Sequence, residues 1–175
     1  MDPEDGSAVL AGQALTDTLT VSSRGAAAGD LADDDGIAGV LEDATITAAP
    51  AASDPALTVT EVVDGRFNVS GTLAAGQTVT VTYTVTVNAD DARGDNVLLN
   101  FVVPPGEEPP AECVVGDPLC TENPVPLIGV VKDVDPEDGS TVLAGQELTY
   151  TLTFSNTGAA AGELSYDDVI AGVLD

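Results

Sequence analysis

The chain contains itself twice. Asp2–Glu42 (DPEDGSAVLAGQALTDTLTVSSRGAAAGDLADDDGIAGVLE) recurs without a gap as Asp135–Asp175 (DPEDGSTVLAGQELTYTLTFSNTGAAAGELSYDDVIAGVLD), 133 residues further on. A period of that size is one ordinary domain, so the sequence reads as a cut through a tandem array. Met1 stands where the second copy has Val134, which puts the start of the chain inside a repeat. Arrays of this size serve as spacers or binding stalks more readily than as repeated catalysts. The chain also carries no apolar run long enough to span a membrane.

The local pattern is β. Valine, tyrosine and threonine alternate through Gln77–Val87 (QTVTVTYTVTV), and Leu148, Tyr150, Leu152 and Phe154 alternate with polar residues in Gln146–Phe154. This period of two marks half-buried antiparallel strands. Further strands are expected at Ala44–Ala48, Ala56–Val63, Arg66–Leu73, Asn96–Val103 and Leu127–Val134. Turn signals such as Asp64-Gly65, Ala75-Gly76 and Asp138-Gly139 separate them. The Ala159–Ala161 run is too short, and too close to glycine, to make a helix. The fold expected is all-β, an Ig-like antiparallel β-sandwich drawn from a tandem-repeat array. Three parts follow: residues 1–103, a first module lacking its first strand; residues 104–126, a Pro-rich linker with a Cys pair; and residues 127–175, the first half of the next module. The last part is also a candidate to complete the first module by pairing Leu127–Val134 with strands of 43–103. Copy two carries Tyr150 and Tyr166 where copy one has Asp17 and Asp33, so copy two is expected to make the better core.

Thirty acidic residues against four basic ones give a net charge of −26. That excludes nucleic acid and an anionic membrane surface as partners, and leaves neighbouring repeats or other copies of the chain; no host or surface ligand is specified. A salt-loving source and a cation-binding role would both give this acidity. Aromatic residues are only 3%, so the core must come from Val, Leu, Ile and Ala. There is no His and only two Cys, Cys113 and Cys120, which cannot complete a zinc site. A local disulfide is expected instead, stiffening the junction between modules and implying an oxidising, extracellular home. No nucleophile–base pair for an enzyme is present, and no cofactor is expected apart from Ca²⁺.

In LIGVVKDVDPEDGSTVLAGQELTYTLTFSNTG the Val-Val-Lys strand, the Gly-Gln-x-Leu-Thr-Tyr-Thr strand and the Asn-Thr-Gly turn resemble the opening of conserved-repeat Ig-like modules of bacterial cell-surface proteins, notably actinobacterial ones. The Tyr-x-Asp segment, GDNVLLNFVVP and CTENPVP fit as well. The resemblance implies a structural stalk, spacer or adhesin repeat at the cell surface or in the cell wall, and in some relatives a spontaneous Lys–Asn isopeptide cross-link. The candidates are Lys132, the only lysine, together with Asn100 and Asp168, whose equivalent in copy one is Asp35. Each lies on the apolar face of its segment. There a neutral amine can attack a carboxamide polarised by a protonated acid; the simpler reading is a lysine that reaches to the edge and an asparagine that is merely hydrogen-bonded.

Two other motifs invite binding. Asp30, Asp33, Asp34 and Asp35 could hold Ca²⁺ with backbone oxygens, although their spacing is not that of an EF-hand and a solvated acidic loop explains them as well. Arg93-Gly94-Asp95 spells an integrin tripeptide, which a tight turn before a strand explains without a receptor. Asn68-Val69-Ser70 is a glycosylation sequon. The function expected is a structural extracellular repeat, with a calcium-dependent or adhesive binding module as the alternative.

Overall fold

The computed structural model describes residues 1–114 and 116–174. Asp175, the last residue of the second copy, lies outside them.

Two antiparallel sheets enclose the main core. One has three strands in the order β1 (Ala14–Ser22), β6 (Thr78–Val87), β3 (Ala44–Ala52). The other has five, in the order β4 (Leu57–Val59), β5 (Arg66–Leu73), β2 (Gly29–Gly36), β7 (Val97–Val103), β8 (Cys120–Pro124). The chain is nearly all-β, as the alternation predicts. In β6 the residues Val79, Val81, Tyr83, Val85 and Val87 are all buried, and the intervening threonines face outward. They pack against Val9, Leu15, Ile37, Val40, Phe67, Val69 and Leu98. Phe67 meets Tyr83 edge-on with ring centroids 5.8 Å apart, the preferred aromatic geometry. The Asp64-Gly65 turn joins Val63 to β5 with both residues at positive φ (52° and 71°), as a tight primed hairpin turn requires.

The stretch expected to be an inter-module linker instead closes this sandwich. Cys120–Pro124 pairs with β7 as an edge strand, and Val125 is fully buried in the core. Proline is tolerated there because an edge strand leaves one row of amides unused. Residues 104–114 and 116–119 fold back over the outer face of β7, where Phe101, Val103 and Cys120 form a second small cluster with Leu99 and Cys113. The disulfide joins Cys113 to Cys120 with Cα atoms 5.8 Å apart. It therefore pins this cover to β8 within the first module, and not the junction between modules as expected. Gly36 is part of the same contact, since a Cβ there would lie 2.9 Å from Pro109 Cγ.

The second copy stands apart from this core. β9 (Ile128–Asp135) pairs with β10 (Thr149–Asn156) as a two-stranded ribbon, and not with strands of 43–103. Every residue of β10 is exposed. Copy one, not copy two, supplies the core, because β1 and β2 lie next in the chain to strands β3–β8 that cover them. Tyr150 and Tyr166 remain 40% and 58% exposed. Among the described residues, no helix is long and apolar enough to cross a membrane.

Candidate functional site

The most unusual chemistry is a polar cluster inside the sandwich, between the two sheets. Asp17 comes from the inward face of β1, Asp35 from β2, Asn100 from β7, Thr121 from β8 and Tyr83 from β6. Asp17, Asp35 and Asn100 are 6%, 2% and 5% exposed. Alternation puts them there: each occupies an inward position otherwise filled by Leu or Val.

Asp17 is the hub. Its Oδ2 accepts hydrogen bonds from Asn100 Nδ2 (3.1 Å), Thr121 Oγ1 (3.3 Å) and the Tyr83 hydroxyl (3.4 Å). Its Oδ1 accepts from the Thr18 amide at 2.6 Å. A buried carboxylate survives only with such partners, and the tyrosine-to-aspartate difference from copy two is compensated by them. Asp35 has a different fate. Burial, then repulsion from Asp17, push its carboxyl up to about 8, with Asn100 partly offsetting the rise. It is therefore a neutral acid near pH 7. The same burial and negative neighbours push the Tyr83 hydroxyl up. Among the described residues, Asp35 Oδ1 and Asn100 Oδ1 have no hydrogen-bond partner. A cleft of about 40 Å³, lined by Asp17, Leu19, Asp35, Asn100 and Leu119 among others, opens beside them.

The expected cross-link residues fall into two groups. Asn100 and Asp35 lie together in the sandwich. Lys132 lies on the ribbon, where its Nζ donates to Asp168 Oδ1 at 2.5 Å and sits 5.2 Å from the Tyr150 ring centroid. Lys132 therefore meets the second-copy acid and not Asn100. The first-copy residue Asp17, at the centre of the cluster, is a site residue that the sequence flagged only as a buried charge.

The acidic quartet does not converge on a cation. Asp30, Asp33, Asp34 and Asp35 lie on one strand, β2, whose alternation sends them to opposite faces. Asp30 accepts from Thr72 Oγ1 on the surface. Asp34 accepts from Asn68, Arg66 and the Gly106 amide, and these bonds hold its carboxyl below the usual range. Burial and then Asp34 raise Asp33. Among the described residues, no three acidic, His or Cys side chains are grouped to hold a metal. The integrin tripeptide is equally occupied: the Arg93 side chain is 1% exposed and donates to Asn96 Oδ1, Asn88 O and Pro126 O. It braces the module's exit against the loop between β6 and β7.

The chain matches the model of a family described as a domain of unknown function, DUF7927, over residues 1–125 and 127–175. It belongs to that family. The break between the two matched segments falls at Pro126, where the sandwich ends and the ribbon begins. No curated protein and no solved structure matches the chain.

Proposed function

We propose that the chain is a structural extracellular repeat, a spacer or fibre element of a bacterial surface protein, with no enzymatic role. The observation that carries this reading is the position of the module's two ends. The exit at Pro126 is held by Arg93, and Val125 N–H bonds to Asn96 O, at the pole of the sandwich where β1 begins, since Ala14 pairs with Thr86. The entry is marked by the second copy: Ile128 pairs with Asn156, the equivalent of Ser23 just past the other end of β1. Entry and exit at opposite poles stack successive modules end to end as a rod. The Cys113–Cys120 disulfide agrees with an oxidising compartment, and a strongly like-charged surface keeps such rods apart.

The finer element of the proposal is an isopeptide bond within each complete module. The Lys Nζ would attack the Asn Cγ, the carboxamide nitrogen would leave as ammonia, and the neutral aspartic acid would relay the proton. The neutral Asp35 beside Asn100, and the contact of Lys132 with its equivalent Asp168, support that arrangement.

Small-angle scattering on chains of one, two and three full periods tests the rod. Each period should add about 35 Å, roughly the length of a ten-residue strand, to the maximum dimension. A dimension that grows only as the cube root of mass would refute it. Intact mass of the two-period chain reads the cross-link as the loss of one ammonia.

A further inference from the structure

We infer that the Gly-Ala-Ala-Ala-Gly loop of each repeat is a socket that grips the exit segment of the repeat before it, so that successive modules are joined stiffly with no free linker between them. In this chain the loop is Gly158–Gly162, and the segment it grips is Val125–Leu127. β8 ends at Pro124 and β9 begins at Ile128, so only those three residues separate the sandwich from the ribbon. A joint that short swivels unless its backbone is engaged on both sides.

Every backbone donor and acceptor of the three residues is used, and the partners come from both sides. Val125 N–H donates to Asn96 O in the sandwich (2.8 Å), while Val125 O accepts from the Ala159 amide in the loop (3.0 Å). Pro126 O accepts from Arg93 Nη2 of the sandwich at 3.1 Å, and the proline ring fixes φ. Leu127 N–H donates to Asn156 Oδ1 (3.2 Å), and Leu127 O accepts from the Thr157 amide (2.9 Å). Asn156 also closes the loop from behind: the same Oδ1 accepts from the Gly158 amide, and its Nδ2 donates to Ala160 O. The Val125 side chain is fully buried in the sandwich core. The residue that takes the loop's hydrogen bond therefore cannot shift without opening that core.

The glycines of the loop are explained by the joint and not by the loop's own conformation. Neither Gly158 nor Gly162 has a positive φ. A Cβ on Gly158 would lie 2.5 Å from Val125 O and 2.6 Å from Pro126 C, and one on Gly162 would lie 2.7 Å from Pro126 Cβ. All of these atoms belong to the gripped segment. In copy one the same sequence, Gly25–Gly29, makes the same three-residue bend, at 25–27 as at 158–160. There a Cβ on Gly25 would meet nothing nearer than 3.6 Å, and one on Gly29 nothing within 4 Å. The bend thus forms by itself, and glycine is needed only where the backbone of a neighbouring module comes close. A loop that already has its bound shape is a socket and not a hinge.

The test uses the 175-residue chain in solution and NMR. Residual dipolar couplings of β9 and of the sandwich should fit one common alignment frame, and the Leu127–Val130 amides should have the rigid order parameter of about 0.85. Gly158→Val, which lies outside the sandwich, should leave the melting temperature unchanged. It should give β9 a frame of its own and lower those order parameters below about 0.6. Inserting Gly-Ser-Gly between Val125 and Pro126 should do the same with the loop intact, which covers the case in which the valine unfolds the ribbon itself. Separate frames in the wild-type chain overturn the inference, as does a common frame that survives the insertion. A common frame that survives Gly158→Val overturns the role of the loop. The joint goes beyond the rod proposal and fails separately from it. Modules stiffly joined but folded back on one another would keep the common frame and fail the scattering test, whereas freely swivelling modules would lengthen with each period and fail the coupling test.

Discussion

Copy one and copy two share most of their sequence and almost none of their burial. Ile37 is 0% exposed and its counterpart Ile170 43%; Val40 is 2% and Val173 49%. Gly29–Gly36 is a strand, whereas the corresponding 162–169 has no regular structure. Yet the turns agree closely: Gly6 and Gly139 have φ of 77° and 78°, and Gly12 and Gly145 77° and 83°. Local conformation follows from local sequence, since glycine at a positive-φ turn position carries its instruction with it. Burial does not, because it is conferred by strands elsewhere in the chain. The first copy has β3–β8 following it; the second, in this chain, has only β9.

The comparison breaks most visibly at paired core positions. Ile37→Ala should destabilise the sandwich by about 2–5 kcal/mol, as large-to-small changes in a closed core do. Ile170→Ala should change it by less than about 0.5 kcal/mol. Chemical denaturation of both variants reads the difference, and equal losses would mean the second copy is packed.

Asp35 should give the next largest effect, through pH. Its folded value, about 8, lies above the ordinary 3.8. The folded protein thus holds a proton that the unfolded chain releases. Its contribution is full below pH about 4, falls by up to about 1.4 kcal/mol per unit as pH rises, and is lost by pH about 8. Asp34, held low, acts oppositely and only in acid below about pH 4. Melting temperature should therefore fall from pH 5 to pH 8, and Asp35→Asn should flatten that slope. An unchanged slope in the variant would show that Asp35 is charged in the fold.

Reducing the Cys113–Cys120 disulfide should cost about 2.5 kcal/mol in the chain-entropy model and loosen the cover over Phe101. The loss should appear in the sandwich transition, whereas a disulfide at the junction would leave that transition unmoved. Lys132→Ala should have the smallest effect, below about 1 kcal/mol, because both partners of its ion pair are partly exposed.

Much of the architecture was legible because it is periodic. The threonine–valine alternation located β6 to within a residue, and the Asp-Gly pair located the turn before β5. β8 was not legible: Cys-Thr-Glu-Asn-Pro has no alternation and ends in proline, and only its pairing with β7 makes it a strand. β2 read as an acidic loop because its inward residues include Asp33 and Asp35. The site was half legible. Lys132, Asn100 and the two equivalent acids stood out as polar residues on apolar faces. What satisfies Asp17 could not be read, because Tyr83, Asn100 and Thr121 lie 66, 83 and 104 residues away. The preference for copy two as the core failed for the same reason: side-chain chemistry favoured the tyrosines, and chain connectivity favoured copy one.

Amide hydrogen exchange at low protein concentration tests the central claim most directly, by comparing β1 with β10. The account predicts that β1 amides bonded to β6 open only with global unfolding of the sandwich, while β10 amides exchange orders of magnitude faster through local fraying of the ribbon. Equal protection of the two strands, or slower exchange in β10, would contradict it.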